Sequence, residues 1–169
     1  MAVSAYEVIS ATTVGTAAQT VTLSSIPQMY TDLVVVVNAQ SSVNSDLYVY
    51  FNASNTNLYS RTTLWGDGTT ASSTRIVHGD GYNFLVLTYY GAVTTTAGGS
   101  VHNINIMNYA NTTTRKTVLA RCNASSSGVD ATVGVWSSTD AITSMTFDLA
   151  STRTFSAGST FTLYGIKAA

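Results

Sequence analysis

Apolar side chains in this chain recur at every second position. No window of eleven or more residues places them at i, i+3, i+4 and i+7. From Asp46 to Phe51, Leu47, Val49 and Phe51 fall on one side and Tyr48 and Tyr50 on the other. From His102 to Asn108, Ile104 and Ile106 oppose Asn103, Asn105 and Met107. From Thr143 to Leu149, Met145, Phe147 and Leu149 face inward, with Ser144, Thr146 and Asp148 outward. A period of two lays one side of an extended strand on a core, whereas a helix needs 3.6. The chain is therefore expected to build strands and little else.

Leu33-Val34-Val35-Val36-Val37 is a continuous β-branched run, expected of a strand covered on both faces. Ala5–Ile9, Gln19–Leu23, Leu58–Leu64, Arg75–His78, Phe84–Tyr89, Arg115–Asn123, Ala131–Ser137 and the run after Gly158 are further strand candidates, about eleven in all. Turn signals separate them: Ser24-Ser25-Ile26-Pro27, Asn52–Asn57, Gly66-Asp67-Gly68, Gly79-Asp80-Gly81, Thr94–Gly99, Ser125–Gly128 and Ser156-Ala157-Gly158. Parallel sheets need crossover helices, and no stretch reads as one. The expectation is one all-β domain over residues 1–169, an antiparallel sandwich or barrel of about eleven strands. Phe161 and Leu163 should enter its core, and Gly165 should admit a close backbone or aromatic neighbour.

Charge narrows the function. Only 9% of the 169 residues are charged, with a single glutamate, Glu7, and two lysines, Lys116 and Lys167; about 25% is usual. Serine and threonine supply the polarity instead. The net charge is −1 and the longest basic run is Arg115-Lys116. Gripping a phosphate backbone takes several cations on one face, so nucleic acid is not expected as a partner. No apolar stretch approaches the ~20 residues of a membrane-spanning helix, and no membrane association is expected. The first fifteen residues lack the basic start and apolar block of a signal peptide, so synthesis in the cytosol is expected. One cysteine, Cys122, excludes an internal disulfide. A surface with so few ions is poorly protected against association, so partners are expected to cover much of it.

Candidate chemistry is sparse. Trp65-Gly66-Asp67-Gly68 and His78-Gly79-Asp80-Gly81 contain metal-ligand types. They read better as turns in which Asp caps its own backbone, and the alternating carboxylates of a calcium loop are missing. His102 and Cys122 sit on alternating strands and read as satisfied core side chains. No Gly-x-Ser-x-Gly elbow occurs. Seven Asp and one Glu leave a spatial carboxylate pair open, with nothing specific in its favour. Catalytic, metal and cofactor sites are therefore not assigned. Ten tyrosines and two tryptophans remain, suited to core packing, oligomer interfaces or ligand stacking. The sequons at Asn52, Asn111 and Asn123 read as chance.

Two stretches, VTLSSIPQMYTDLVVVVNAQSS (residues 21–42) and ITSMTFDLASTRTFSAGSTFTLYGIKAA (residues 142–169), together resemble small β-sandwich structural proteins of tailed bacteriophages. The shared features are Ser25-Ile26-Pro27 before Tyr30-Thr31-Asp32-Leu33, and the closing run Gly158 to Ile166. The resemblance covers some fifty residues at the two ends of the chain. It implies an antiparallel β-sandwich, jelly-roll-like, of about ten or eleven strands, and a non-enzymatic virion protein made in the host cytoplasm. The leading expectation is a capsid decoration (cement) protein on the outer head surface. It would bind the major capsid protein and itself, as a homotrimer, and stabilise contacts between capsid subunits. The runner-up is a tail-associated adhesin or fibre domain binding host glycans through Trp65, Tyr82, Tyr89 and Tyr90. A depolymerase is a distant third.

Overall fold

The run after Gly158 forms strand β12 (Thr160–Ile166). It lies between the long N-terminal strand β1 (Tyr6–Thr13) and the valine run, β3 (Asp32–Ala39). These coordinates are a computed structural model describing residues 6–54, 56–96, 98–124 and 127–167. Ala5 of the first strand candidate, Asn55, Ala97, Ser125 and Ser126 of the turns, and the closing Ala168-Ala169 lie outside the described residues. The sheet continues through β8 (Ser100–Met107), β9 (Lys116–Ala124), β10 (Gly128–Trp136), β5 (Tyr59–Gly66) and β6 (Ala71–Ile76). Eight strands thus run in the order β1-β12-β3-β8-β9-β10-β5-β6. A second sheet has the order β2-β11-β4-β7, from β2 (Thr20–Leu23), β11 (Met145–Leu149), β4 (Leu47–Phe51) and β7 (Leu85–Val86). Every pairing between these strands is antiparallel, and the described residues contain no helix. The fold is an all-β, two-sheet sandwich.

Alternation decides which side of each strand enters the core. Leu33, Val35 and Val37 of β3, Ile104 and Ile106 of β8, and Phe161 and Leu163 of β12 are buried on the inner face of the large sheet. They belong to one cluster with Leu47, Val49 and Phe51 of β4 and Met145, Phe147 and Leu149 of β11. Phe161 packs against Phe147 and, edge-on, Phe155, with ring centroids 5.4 and 5.1 Å apart. Trp136, Tyr59 and Phe51 fill the other end.

Gly165 has the close neighbour expected of it: the Tyr30 ring lies over its α-carbon. A Cβ there would stand 2.5 Å from Tyr30 Cδ2, and nearer still to Cγ and Cδ1. Tyr30 is fixed from several directions. Its hydroxyl donates to Glu7 Oε2 at 3.0 Å, and its N–H donates to the Tyr109 hydroxyl at 3.3 Å. Lys167 Nζ closes the group on Glu7 Oε1 at 2.7 Å. The hydroxyl of Tyr109 in turn donates to the carbonyl of Pro27.

Twelve strands are described, against about ten or eleven expected. Three expectations need correction. The valine run is covered by the second sheet on its inner side only. On its outer side Val34 is flanked by Tyr164 and Asn105 in the ladder, and Val36 is half-buried. Phe84–Tyr89 gives only the two-residue β7, because the backbone beyond Leu87 bonds to a side chain instead of a strand. The candidate at Arg75–His78 begins earlier, at Ala71. This edge strand has little apolar alternation to mark it, since it borders solvent along one side.

Candidate functional site

The four aromatic residues singled out from the sequence fall into two groups. Trp65, at the end of β5, stacks on Tyr90 with centroids 4.4 Å apart and planes 18° apart, and on Tyr89 at 5.5 Å and 28°. Tyr82 is not part of this group. It meets Phe84 edge-on at 6.0 Å, and Phe84 stacks on Tyr48 at 4.2 Å. Tyr48 and Phe84 are thus aromatic members that the sequence did not single out. Tyr89 is 48% exposed and Tyr82 37%, so the two groups present ring area to solvent.

Asp130 holds the first group in place. It lies on the inner face of β10 and is buried. Its carboxylate accepts the backbone N–H groups of Tyr89 at 2.7 Å, Tyr90 at 3.0 Å and Gly91 at 2.6 Å. Three converging donors offset the cost of removing a carboxylate from water. Gly91 is required for this approach: a Cβ there would sit 2.9 Å from the Cys122 carbonyl carbon and 3.0 Å from Asp130 Oδ2.

A polar seam runs beside this anchor between the sheets. The Thr63 and Thr132 hydroxyls lie 2.8 Å apart, and Thr132 donates to the Leu87 carbonyl at 3.0 Å. Buried Arg61 donates from Nη1 to the Thr63 hydroxyl, and its Nε has no partner among the described residues. Thr88 accepts from the Leu47 N–H at 3.0 Å and donates to Asp46 at 3.3 Å. Burial pushes the Asp46 carboxyl above the ordinary aspartate range; the Thr88 bond and the nearby Arg61 charge work against that shift. Burial likewise lowers the Arg61 guanidinium.

The remaining candidates are structural. Asp67 Oδ1 caps the N–H groups of Thr69 and Thr70 at 2.9 and 2.7 Å. Asp80 Oδ2 accepts from the Val77 N–H at 3.0 Å. These are the turn caps read from the sequence. Among the described residues no group of three or more His, Cys, Asp or Glu is placed to hold a metal ion. His102 is fully buried, and burial lowers its imidazole to about 3. Only half of the expected satisfaction is present: Nε2 bonds to the Ser100 hydroxyl at 2.8 Å, while Nδ1 has no partner among the described residues. Cys122 is a buried free thiol that burial makes harder to ionise. The Asn52 amide clamps the loop before β11, accepting from the Thr143 N–H at 2.8 Å and donating to the Ala141 carbonyl at 2.7 Å.

The two outer faces of the sandwich are large and almost uncharged. Among the described residues, the small sheet turns out Thr20, Thr22, Thr146, Tyr48 and Tyr50, with Asp148 its one charged group. Burial pushes the Asp148 carboxyl up. The large sheet turns out Tyr6 and Val8 on β1, Val101 and Met107 on β8, Val129 and Val133 on β10, and Leu64 on β5. These are seven of the twelve large apolar side chains exposed among the described residues. Compared with known proteins, the chain matches no family model and no curated sequence.

Proposed function

We propose that this protein is a bacteriophage capsid decoration protein that sits on the outside of the head and holds neighbouring major capsid subunits together. One observation carries the reading: both outer faces of a stiff two-layer block are broad, extended and nearly free of charge. Burying such faces forfeits little ion hydration, and the resulting contact depends weakly on salt. The Thr- and Tyr-rich face of the small sheet suits a seam between capsid subunits, since tyrosine buries area while keeping a polar tip. The work is non-covalent, with no catalytic step. The resemblance of residues 21–42 and 142–169 to phage β-sandwich proteins supports the same reading.

The test adds purified protein to heads stripped of it, then heats or osmotically shocks them. Decorated heads should survive where bare heads burst, and the virion should hold hundreds of copies. A dozen copies or fewer, with no gain in survival, would remove the proposal. A second reading, a tail-associated adhesin for host glycans, draws on the exposed Tyr89 ring beside the Trp65–Tyr90 stack. Glycan binding lost in Tyr89→Ala would favour it.

A further inference from the structure

We infer that the outer face of the eight-stranded sheet is the contact surface for a second copy of this chain, joined across a two-fold axis. The inference concerns the large sheet alone and holds or fails whatever the Thr- and Tyr-rich face binds.

Extent is the first argument. Eight strands, each showing about four outward residues, cover a footprint of ~1,000 Å² at ordinary strand spacing and rise. A stable interface takes about 800 Å² from each partner. Val8 is 62% exposed, Leu64 60%, Val129 55% and Val133 50%. These side chains lie on β1 and on β10 and β5, and one ladder row, Val8, Tyr164, Val34, Asn105, Leu119 and Val133, joins them across the strands between with Asn105 its one polar member. Monomeric proteins rarely leave so wide an apolar face in water.

Charge placement is the second argument. Among the described residues this face carries three charged groups, Asp32, Arg121 and Arg75. The ladder fixes where the first two stand. Asn105 pairs with Val34 on one side and Leu119 on the other. Asp32 lies on β3, level with Met107, two residues from that row. Arg121 lies on β9, level with Asn103, two residues from the row in the opposite sense. Asn105 is therefore the midpoint between one negative and one positive group, close to the centre of the sheet. A two-fold axis lying in the interface over Asn105, perpendicular to the Asp32–Arg121 line, sets Asp32 of each copy against Arg121 of the other. The face is complementary to itself, as an isologous contact requires. A ring of three would need two different patches on each chain. The expected homotrimer fits this face less well than a pair.

Sedimentation velocity on the purified full chain over a range of concentrations tests the inference. A species of twice the chain mass is expected. Val133→Lys and Leu64→Glu each place an unpaired charge in the contact and should raise the dimer dissociation constant about a hundredfold. Both side chains are solvent-exposed in the single chain, so near-ultraviolet circular dichroism should stay unchanged. Thr22→Lys, on the opposite face, should leave association intact. Arg121→Asp and Asp32→Arg should each weaken the pair, and the double variant should recover it. Asp32 also accepts the Asn108 N–H at 2.7 Å, a bond lost in Asp32→Arg and in the double variant alike, so recovery of the double variant over Asp32→Arg reports the cross-copy pair. A wild-type chain that stays monomeric, a trimer, or a dimer indifferent to both Val133→Lys and Leu64→Glu would each overturn the inference. So would a face covered only by another protein.

Discussion

Replacing Gly165 by alanine adds one methyl group where the Tyr30 ring already stands. The new Cβ would lie 2.5 Å from Cδ2, whereas carbon atoms rest about 3.5–4.0 Å apart. The ring must retreat by about 1 Å. It is not free to do so, because the Tyr30 hydroxyl is bound to Glu7 and its N–H to Tyr109. Overpacking of this kind costs about 1–3 kcal/mol, and we expect about 2 kcal/mol here. For a domain of this length that lowers the melting temperature by roughly 4–8 °C. The assay is a double-mutant cycle read by urea unfolding of wild type, Gly165→Ala, Tyr30→Ala and the double variant. Without the ring, alanine meets no obstacle at position 165. It should then be neutral, or stabilising by up to about 1 kcal/mol, because glycine weakens a strand. Equal costs for Gly165→Ala in both backgrounds would refute the reasoning and place the strain in the strand itself.

Asp130→Asn keeps the shape but replaces one accepting oxygen with a donor. It should destabilise the fold by about 2–4 kcal/mol and shift Trp65 fluorescence as the stacks of Trp65 on Tyr89 and Tyr90 loosen; unchanged emission would argue against the anchor. Phe161→Ala removes a ring from the centre of the core and should cost about 3–5 kcal/mol, measured by the same unfolding assay. His102 makes stability depend on pH. Its folded value of about 3 lies below the ordinary value near 6.5, so the unfolded chain takes up the proton first. The contribution is complete above pH 6.5 and is lost as pH falls toward 3. Between pH 7.5 and 5.5 it should remove about 1.4 kcal/mol, a slope absent in His102→Gln. Asp46 acts in the opposite sense at lower pH. Its raised folded value lets the native state bind the proton first, so its stabilising share returns on acidification.

The strands were legible wherever one face was buried and the other wet. Leu47, Val49 and Phe51, Met145, Phe147 and Leu149, and Phe161 and Leu163 all enter the core as their alternation implies. Alternation fails at β6, where Ser72, Ser73 and Thr74 border solvent and no core face imposes a pattern. It fails at β7 for a different reason. The backbone from Tyr89 to Gly91 bonds to Asp130, about forty residues away, and no local pattern announces so distant an acceptor. Trp65 and Tyr90 share the same difficulty, since tertiary packing alone decides which aromatics meet. The valine run misled because Val34 is hidden by its ladder neighbours rather than by another layer. The broad face of the large sheet was written in the sequence as outward valines, but only the strand order shows that they share one face.

The pairing of β1 with β12 also bears on how the molecule comes into being. Glu7 and Lys167, joined across this edge, are 160 residues apart. Among the described residues β12 is the only strand bonded to β1, so β1 has no ladder to join until nearly all the intervening chain has left the ribosome. Closing so long a loop is entropically slow, and topologies dominated by distant pairings fold in milliseconds to seconds rather than microseconds. During synthesis the nascent chain must carry a waiting strand with its backbone unpaired and Ile9, which packs against the finished core, uncovered, which makes that interval its most vulnerable to misassembly.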